Sequence, residues 1–216
     1  CIRDRYVDYV RGLYKVLDRI KAKYPDLPMM LCSGGGGRTD YEGLKYFTEM
    51  WPSDNTDPIE RLFIQYGFSQ VFPAKVQCAH VTDLNLHDLT ADDLAYVKQS
   101  IKEYNRLKPV ILDGDQYRLV SPYEGNHTST MFVDKGGKNA VVFAFDVHPR
   151  YNEKLINVKL QGLNPDAKYR VHEINRADCS VDDSQSTYSG QYLMTVGLPL
   201  FSNSDLSSRV YEINAK

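Results

Sequence analysis

Two short stretches of this 216-residue chain hold residues whose types and spacing could do chemistry. Residues 51–57, WPSDNTD, set two carboxylates and an amide beside the chain's single tryptophan. Asp57 stands directly before Pro58 and three residues before Glu60, the pattern of a helix N-cap, so backbone N–H groups are expected to occupy its carboxylate. Asp54 has no such duty. Next to Trp51, its carboxyl group is a sensible proton donor for general acid catalysis, with an Asx-turn inside the loop as the competing role.

Residues 31–40, LCSGGGGRTD, carry four consecutive glycines. They do not fit a phosphate loop: no lysine and hydroxyl pair follows, and Thr39 stands where the last glycine of G-x-G-x-x-G belongs. Four residues without Cβ let a ligand or another stretch of backbone come close, and a flexible linker is the alternative. Arg38 has two uses on offer, bridging Asp40 or a loop carbonyl, or reaching a ligand.

Composition narrows the partners. A formal charge of -2 and a pI near 6.2 make no electrostatic case for nucleic acid or an anionic membrane. No apolar run approaches the roughly 18 residues of a membrane span. The four cysteines and five histidines show no metal-ligand spacing, so free thiols and no metal are expected. The chain begins at Cys1 rather than Met, which points to a fragment or a processed chain and leaves the compartment open.

The elements that must position these stretches are legible from periodicity. Residues 2–23 place apolar side chains at helical spacing, PMMLCS reads as a short buried strand, YEGLKYFTEM as a helix and EMWPSDN as a strand running into a loop. A helix capped by Asp57 should bury Ile59, Leu62, Phe63 and Tyr66 and stop at Gly67. AKVQCAHV reads as a further strand, and a long helix follows from a Thr90/Asp93 capping box to Leu107. This alternation predicts a parallel α/β portion over residues 1–108. Beyond Pro109 the period becomes two, with turn residues between runs such as STMFVD, NAVVFAF, KYRVHEI and QYLMTVGL. That predicts an antiparallel β-sandwich of seven or eight strands over residues 109–216.

Taken in order, LCSGGGGRTDYEGL, WPSDNTDPIERLFIQYG, AHVT, GDQYRLVSPYEG, KLQGL and YSGQYLM resemble the α-galactosidases of glycoside hydrolase family 36 across nearly the whole chain. The resemblance implies the last part of a catalytic (β/α)8 TIM barrel followed by a C-terminal β-domain. It also implies a retaining hydrolysis of terminal α-linked galactose, as in melibiose and raffinose, with no cofactor. By the same resemblance Asp54 is the acid/base. Cys32, Gly34 and Gly35 touch the sugar, Ser33 and Arg38 lie near it, and Trp51 either walls the site or packs beneath it. A raffinose-synthase type of transferase and a non-catalytic carbohydrate-binding module are the alternatives.

Two departures from the family qualify this. Its nucleophile, an aspartate in a K-W-D type motif, has no counterpart among these residues, and DLNLHD leaves too little chain after Thr82 for the last barrel strand. Since a whole barrel takes about 250 residues, the α/β portion is expected to be incomplete. It should then associate with the missing N-terminal part of the same protein or with itself as a homo-oligomer.

Overall fold

The computed structural model describes residues 2–78, 87–175, 186–202 and 204–216. Helix α1 (Ile2–Lys23) leads into strand β1 (Met30–Leu31), which pairs in parallel with β2 (Glu49–Met50). Gln77 then bridges Met50 in parallel as well, so three extended segments lie side by side in chain order. Leu31, Met50 and Phe72 are buried at their centre, with Leu44, Phe47, Phe68 and Val76 packed around them. Of the strand expected over AKVQCAHV, Ala74–Val76 form a 3-10 turn and Gln77 makes the bridge to Met50, while residues 79–82, His80 among them, fall outside the described residues, as do Cys1, Cys179 and residues 83–86 of the DLNLHD stretch.

Tyrosines tie α1 to the connection between β1 and β2. Tyr14 stacks on Tyr46 with ring centroids 5.6 Å apart, Tyr46 donates its hydroxyl to Asp18 at 2.7 Å, and Tyr14 donates to Asp40. The helix expected over YEGLKYFTEM is only a 3-10 turn, Glu42–Lys45. The Asp40 carboxylate accepts from the Gly43 N–H inside it at 2.9 Å, and Thr48 already donates to Met29 to start the strand pairing, which leaves no length for further turns.

Helix α2 (Pro58–Ser69) starts as its residues dictate. The Asp57 carboxylate accepts from the N–H groups of Ile59 and Glu60, both at 2.9 Å, and Pro58 occupies a position where no N–H is required. It does not stop at Gly67. Tyr123 reaches over from the C-terminal half, donates to the Phe63 carbonyl at 3.0 Å and meets Phe63 and Tyr66 edge-on, so Gly67 serves this approach rather than termination. The expected apolar stripe is only half-buried, and the buried side chains of α2 are Arg61 and Ser69.

Helix α3 (Ala91–Asp113) opens on the full Thr90/Asp93 capping box and runs past the expected end at Leu107, straight through Pro109. Val110, Ile111 and Leu112 are half-buried, and Gly114 closes the helix where an added Cβ would lie 2.5 Å from the Val133 carbonyl. Burial against the sheet outweighs the one hydrogen bond that Pro109 removes.

The C-terminal half forms one six-stranded sheet, antiparallel throughout, in the order β3 (Asp115–Val120), β4 (His127–Val133), β5 (Asn139–Asp146), β8 (Ser207–Ala215), β6 (Lys168–Glu173), β7 (Thr187–Ser189). One face, with Met131, Val142, Val171 and Ile213, packs on Val158, Leu160, Leu193, Leu198 and Leu200 from the segments between strands. The other meets α3, where Arg106 forks onto Glu212 at 2.5 and 2.9 Å. Among the described residues the strands make this single, open sheet. QYLMTVGL begins not as a strand but as helix α4 (Gly190–Thr195), because the Ser189 hydroxyl caps it by accepting from Tyr192 at 3.1 Å. In INVKLQGL only Val158 makes a bridge, to Leu198.

Candidate functional site

The two chemistry-bearing stretches are neighbours because β1 and β2 are. Each follows directly from the carboxyl end of its strand, the end of a parallel sheet at which barrel proteins place their chemistry. Trp51 donates its backbone N–H to Leu31 at 2.9 Å, and Gly36 donates to the Pro52 carbonyl at 3.0 Å, which zips the loops together.

That contact explains half of the glycine run. Gly35 sits at φ +76°, and a Cβ there would stand 2.8 Å from the Ser53 Cα. At Gly36 it would stand 3.0 Å from the Pro52 carbonyl oxygen, and at Gly37 2.9 Å from that of Ser33. What lies so close to Gly35 and Gly36 is the backbone of residues 52–54. Gly34 differs: at φ +55° it has open space beyond its Cα, and with Cys32 and Arg38 it is exposed. Ser33 is half-buried and donates its N–H to the Gly35 carbonyl at 2.9 Å. Arg38 lies over the Tyr9 ring of α1, 5.8 Å from its centroid, while Asp40 is taken up by Tyr14 and Gly43.

Within residues 51–57 the turn chemistry falls to Ser53 and Asn55, not to Asp54. The Ser53 hydroxyl accepts from the Asn55 N–H at 3.1 Å, and the Asn55 side chain accepts from the Asp57 N–H at 2.9 Å. Asp54 is exposed, and its Oδ1 accepts from the Trp51 indole Nε1–H at 2.8 Å. The Trp51 ring in turn lies 5.3 Å from the guanidinium of Arg61, which is 2% exposed. Burial draws the Arg61 guanidinium below its ordinary value, opposed by the charges of Cys78 and Asp54. Cys78 donates its thiol proton to Glu49 at 3.0 Å; burial first, then that bond and the Glu49 charge, push the thiol up to about 12. Near neutral pH it is a thiol rather than a nucleophilic thiolate.

Sequence reasoning missed Arg61. The available signal was a cation in the first turn of a helix, where the macrodipole disfavours it, directly after a loop of candidate catalytic residues. Among the described residues no cluster of three His, Cys, Asp or Glu side chains is arranged to hold a metal ion, and no helix is long and apolar enough to cross a membrane. A cavity of about 480 Å³ beside β6 and β8, lined by Glu173, Ser202, Ser207 and Arg209 among others, brings together no pair of carboxylates. The loops after β1 and β2 bring an exposed carboxylate beside the glycine run, an arrangement that can do acid/base chemistry.

Known proteins resemble this chain in sequence and in fold. The family model Melibiase matches residues 3–90, and the glycosyl hydrolase family 36 C-terminal domain matches residues 127–213. A probable alpha-galactosidase G from Aspergillus terreus is 31% identical over 94% of the chain. The crystal structure of the GH36 alpha-galactosidase AgaB from Geobacillus stearothermophilus superposes with a TM-score of 0.83 at 30% identity, over 95% of this chain and 31% of that one. A variant of AgaA from the same organism, solved in complex with raffinose, gives the same TM-score, identity and coverage. The chain spans about 30% of the length of the curated relatives it matches.

Proposed function

Because the chain belongs to glycoside hydrolase family 36, we propose that it supplies the acid/base half of a retaining α-galactosidase site. The observation that carries this is the seating of exposed Asp54 beside the glycine loop at the carboxyl ends of adjacent parallel strands. The relatives named as α-galactosidases, one of them holding raffinose, support terminal α-linked galactose as the substrate.

In this scheme Asp54 protonates the glycosidic oxygen as the bond to the anomeric carbon breaks, then takes a proton from the incoming water. A second carboxylate on the opposite side of the sugar, roughly 5 to 5.5 Å away, forms and releases the covalent galactosyl intermediate. No K-W-D motif occurs in the 216 residues, so that nucleophile comes from another part of the protein. Cys32 and Gly34 form the open lip of the sugar pocket, with Ser33 behind them. Gly35 acts at one remove, letting the glycine loop rest on the Asp54 loop. Trp51 packs under the site, and Arg38 braces the loop against α1. The α/β portion, residues 1–108, carries the chemistry. Residues 109–216 form a β-domain that buttresses it, its sheet meeting α3 and its Tyr123 meeting α2.

The test is hydrolysis of raffinose and of an aryl α-galactoside by the full-length protein and its Asp54→Asn variant. Loss of an acid/base should lower raffinose turnover by about 10²- to 10⁴-fold. The 216-residue chain alone should be inactive for want of a nucleophile. Hydrolysis by the chain alone, or full activity in Asp54→Asn, contradicts the proposal; transfer to sucrose in place of hydrolysis redirects it to a galactosyltransferase.

A further inference from the structure

Asp54 is the one acidic side chain of its loop held by a ring instead of by the backbone. Asp57 caps α2, and Ser53 and Asn55 form the turn between the two. Trp51 follows the fully buried Met50, is pinned to Leu31 through its backbone N–H, and spans three residues to donate from Nε1 to Asp54 Oδ1 at 2.8 Å. Beneath it, Arg61 is buried in the first turn of α2, its backbone N–H bonded to the Asp57 carbonyl at 2.9 Å and its guanidinium 5.3 Å from the indole centroid.

We propose that Trp51 and Arg61 are positioning residues for the acid/base: Arg61 holds the indole by a cation–π contact, and the indole N–H fixes which oxygen of Asp54 handles the proton. This rests on the acid role proposed for Asp54. An oxygen that faces an N–H donor can only accept, so Oδ1 is committed to the indole and the transferable proton resides on Oδ2. The bond also holds the carboxyl plane in one orientation, and an exposed aspartate needs that to meet a leaving oxygen at hydrogen-bond distance. When Oδ2 has released its proton, the indole N–H and the buried guanidinium, which already feels the charge of Asp54, stabilise the carboxylate left behind. Arginine suits the place because its flat, delocalised cation lies against an aromatic face where an ammonium would need hydration.

Leaving-group chemistry separates this role from mere support of the fold. Proton donation matters for a poor leaving group such as the sugar of raffinose and little for a dinitrophenolate, which departs unaided. In the full-length protein, Trp51→Phe keeps a ring and deletes the N–H. It should lower kcat on raffinose by roughly 10- to 100-fold while changing kcat/KM on the dinitrophenyl α-galactoside by less than about threefold, a fraction of the general-acid effect. Arg61→Met should follow the same pattern with a smaller amplitude, and Arg61→Lys should recover part of it. Should Trp51→Phe fail to fold, 3-benzothienylalanine at position 51 has the shape of tryptophan without its N–H and gives the same comparison. Equal losses on both substrates, or none on raffinose, overturn the positioning role. Asp54→Ala is the reference: if it shows no leaving-group dependence, the acid/base reading fails first, whatever Trp51 does.

Discussion

The C-terminal sheet contains nearly all it needs, and the α/β portion does not. Around the sheet sixteen residues form one buried cluster, and its strands reach nine residues. In the α/β portion three residues form the buried cluster, and β1 and β2 are two residues each. Among the described residues β1 pairs with β2 alone, and Tyr6, Tyr9, Val16 and Met30 are half-exposed or more. Every strand of the antiparallel sheet finds its neighbours within residues 115–215, whereas the parallel pair of β1 and β2 is extended, among the described residues, only by the bridge from Gln77 to Met50. Where the scaffold is thin, the geometry of the site is fixed locally: glycine backbone on Pro52 and Ser53, indole on carboxylate, guanidinium on indole.

The contrast can be tested by removing one large buried side chain from each half. Tyr169 is wholly buried, donates to the Gly137 carbonyl at 2.5 Å and accepts from the Asn164 N–H at 2.9 Å. Tyr169→Ala should cost about 3 to 5 kcal/mol in urea unfolding, by cavity formation and two stranded backbone groups. Met50→Ala should cost about 2 kcal/mol, the low end for its type, because a small cluster collapses more easily. As Trp51 is the only tryptophan of the chain, its fluorescence reports the α/β half of the 216-residue chain directly. Equal costs would dissolve the distinction between the halves.

A smaller effect sharpens the account of the glycine loop. Gly35→Ala meets both a left-handed φ and the Ser53 Cα, and should cost about 1 to 3 kcal/mol while displacing the Asp54 loop and lowering kcat. Gly34→Ala meets only the φ strain, about 1 kcal/mol, with no clash. Urea midpoints and kcat of the two variants in the full-length protein check this; equal losses of kcat would mean that the contact with residues 52–54 is incidental.

The smallest effect is a pH dependence confined to the sheet. Burial opposes ionisation of Asp146, but the hydroxyls of Ser207 and Ser202, the Ser202 N–H and His127 together hold its carboxyl below the usual carboxylate range. A depressed folded value stabilises above the unfolded value, near 3.9, and the gain disappears as pH falls through the folded value. The urea midpoint of the sheet should therefore drop below about pH 4, and more shallowly in Ser207→Ala. An unchanged slope in that variant would remove Asp146 from the explanation.

Local chemistry was legible in the sequence, and adjacency was not. The caps at Asp57 and Thr90 depend on residues a few positions apart, and these stand in the structure as expected. The end of α3 was misplaced because a proline is a local signal and the burial that overrides it comes from β4 and β5. QYLMTVGL was misjudged because its alternating apolar residues serve a short helix as well as a strand, with Ser189 deciding between them. Four glycines announce a close approach without saying by what. That Pro52 and Ser53 are the neighbours follows only from the pairing of β1 with β2, and Arg61 beneath Trp51 only from the path of α2.

The identity of Asp54 as acid/base is tested most directly by azide rescue of Asp54→Ala in the full-length protein, with a dinitrophenyl α-galactoside as substrate. Azide needs no general base, so it should accelerate breakdown of the galactosyl intermediate and leave α-galactosyl azide, with configuration retained. No acceleration, or a β-galactosyl azide such as loss of the nucleophile produces, would contradict the account.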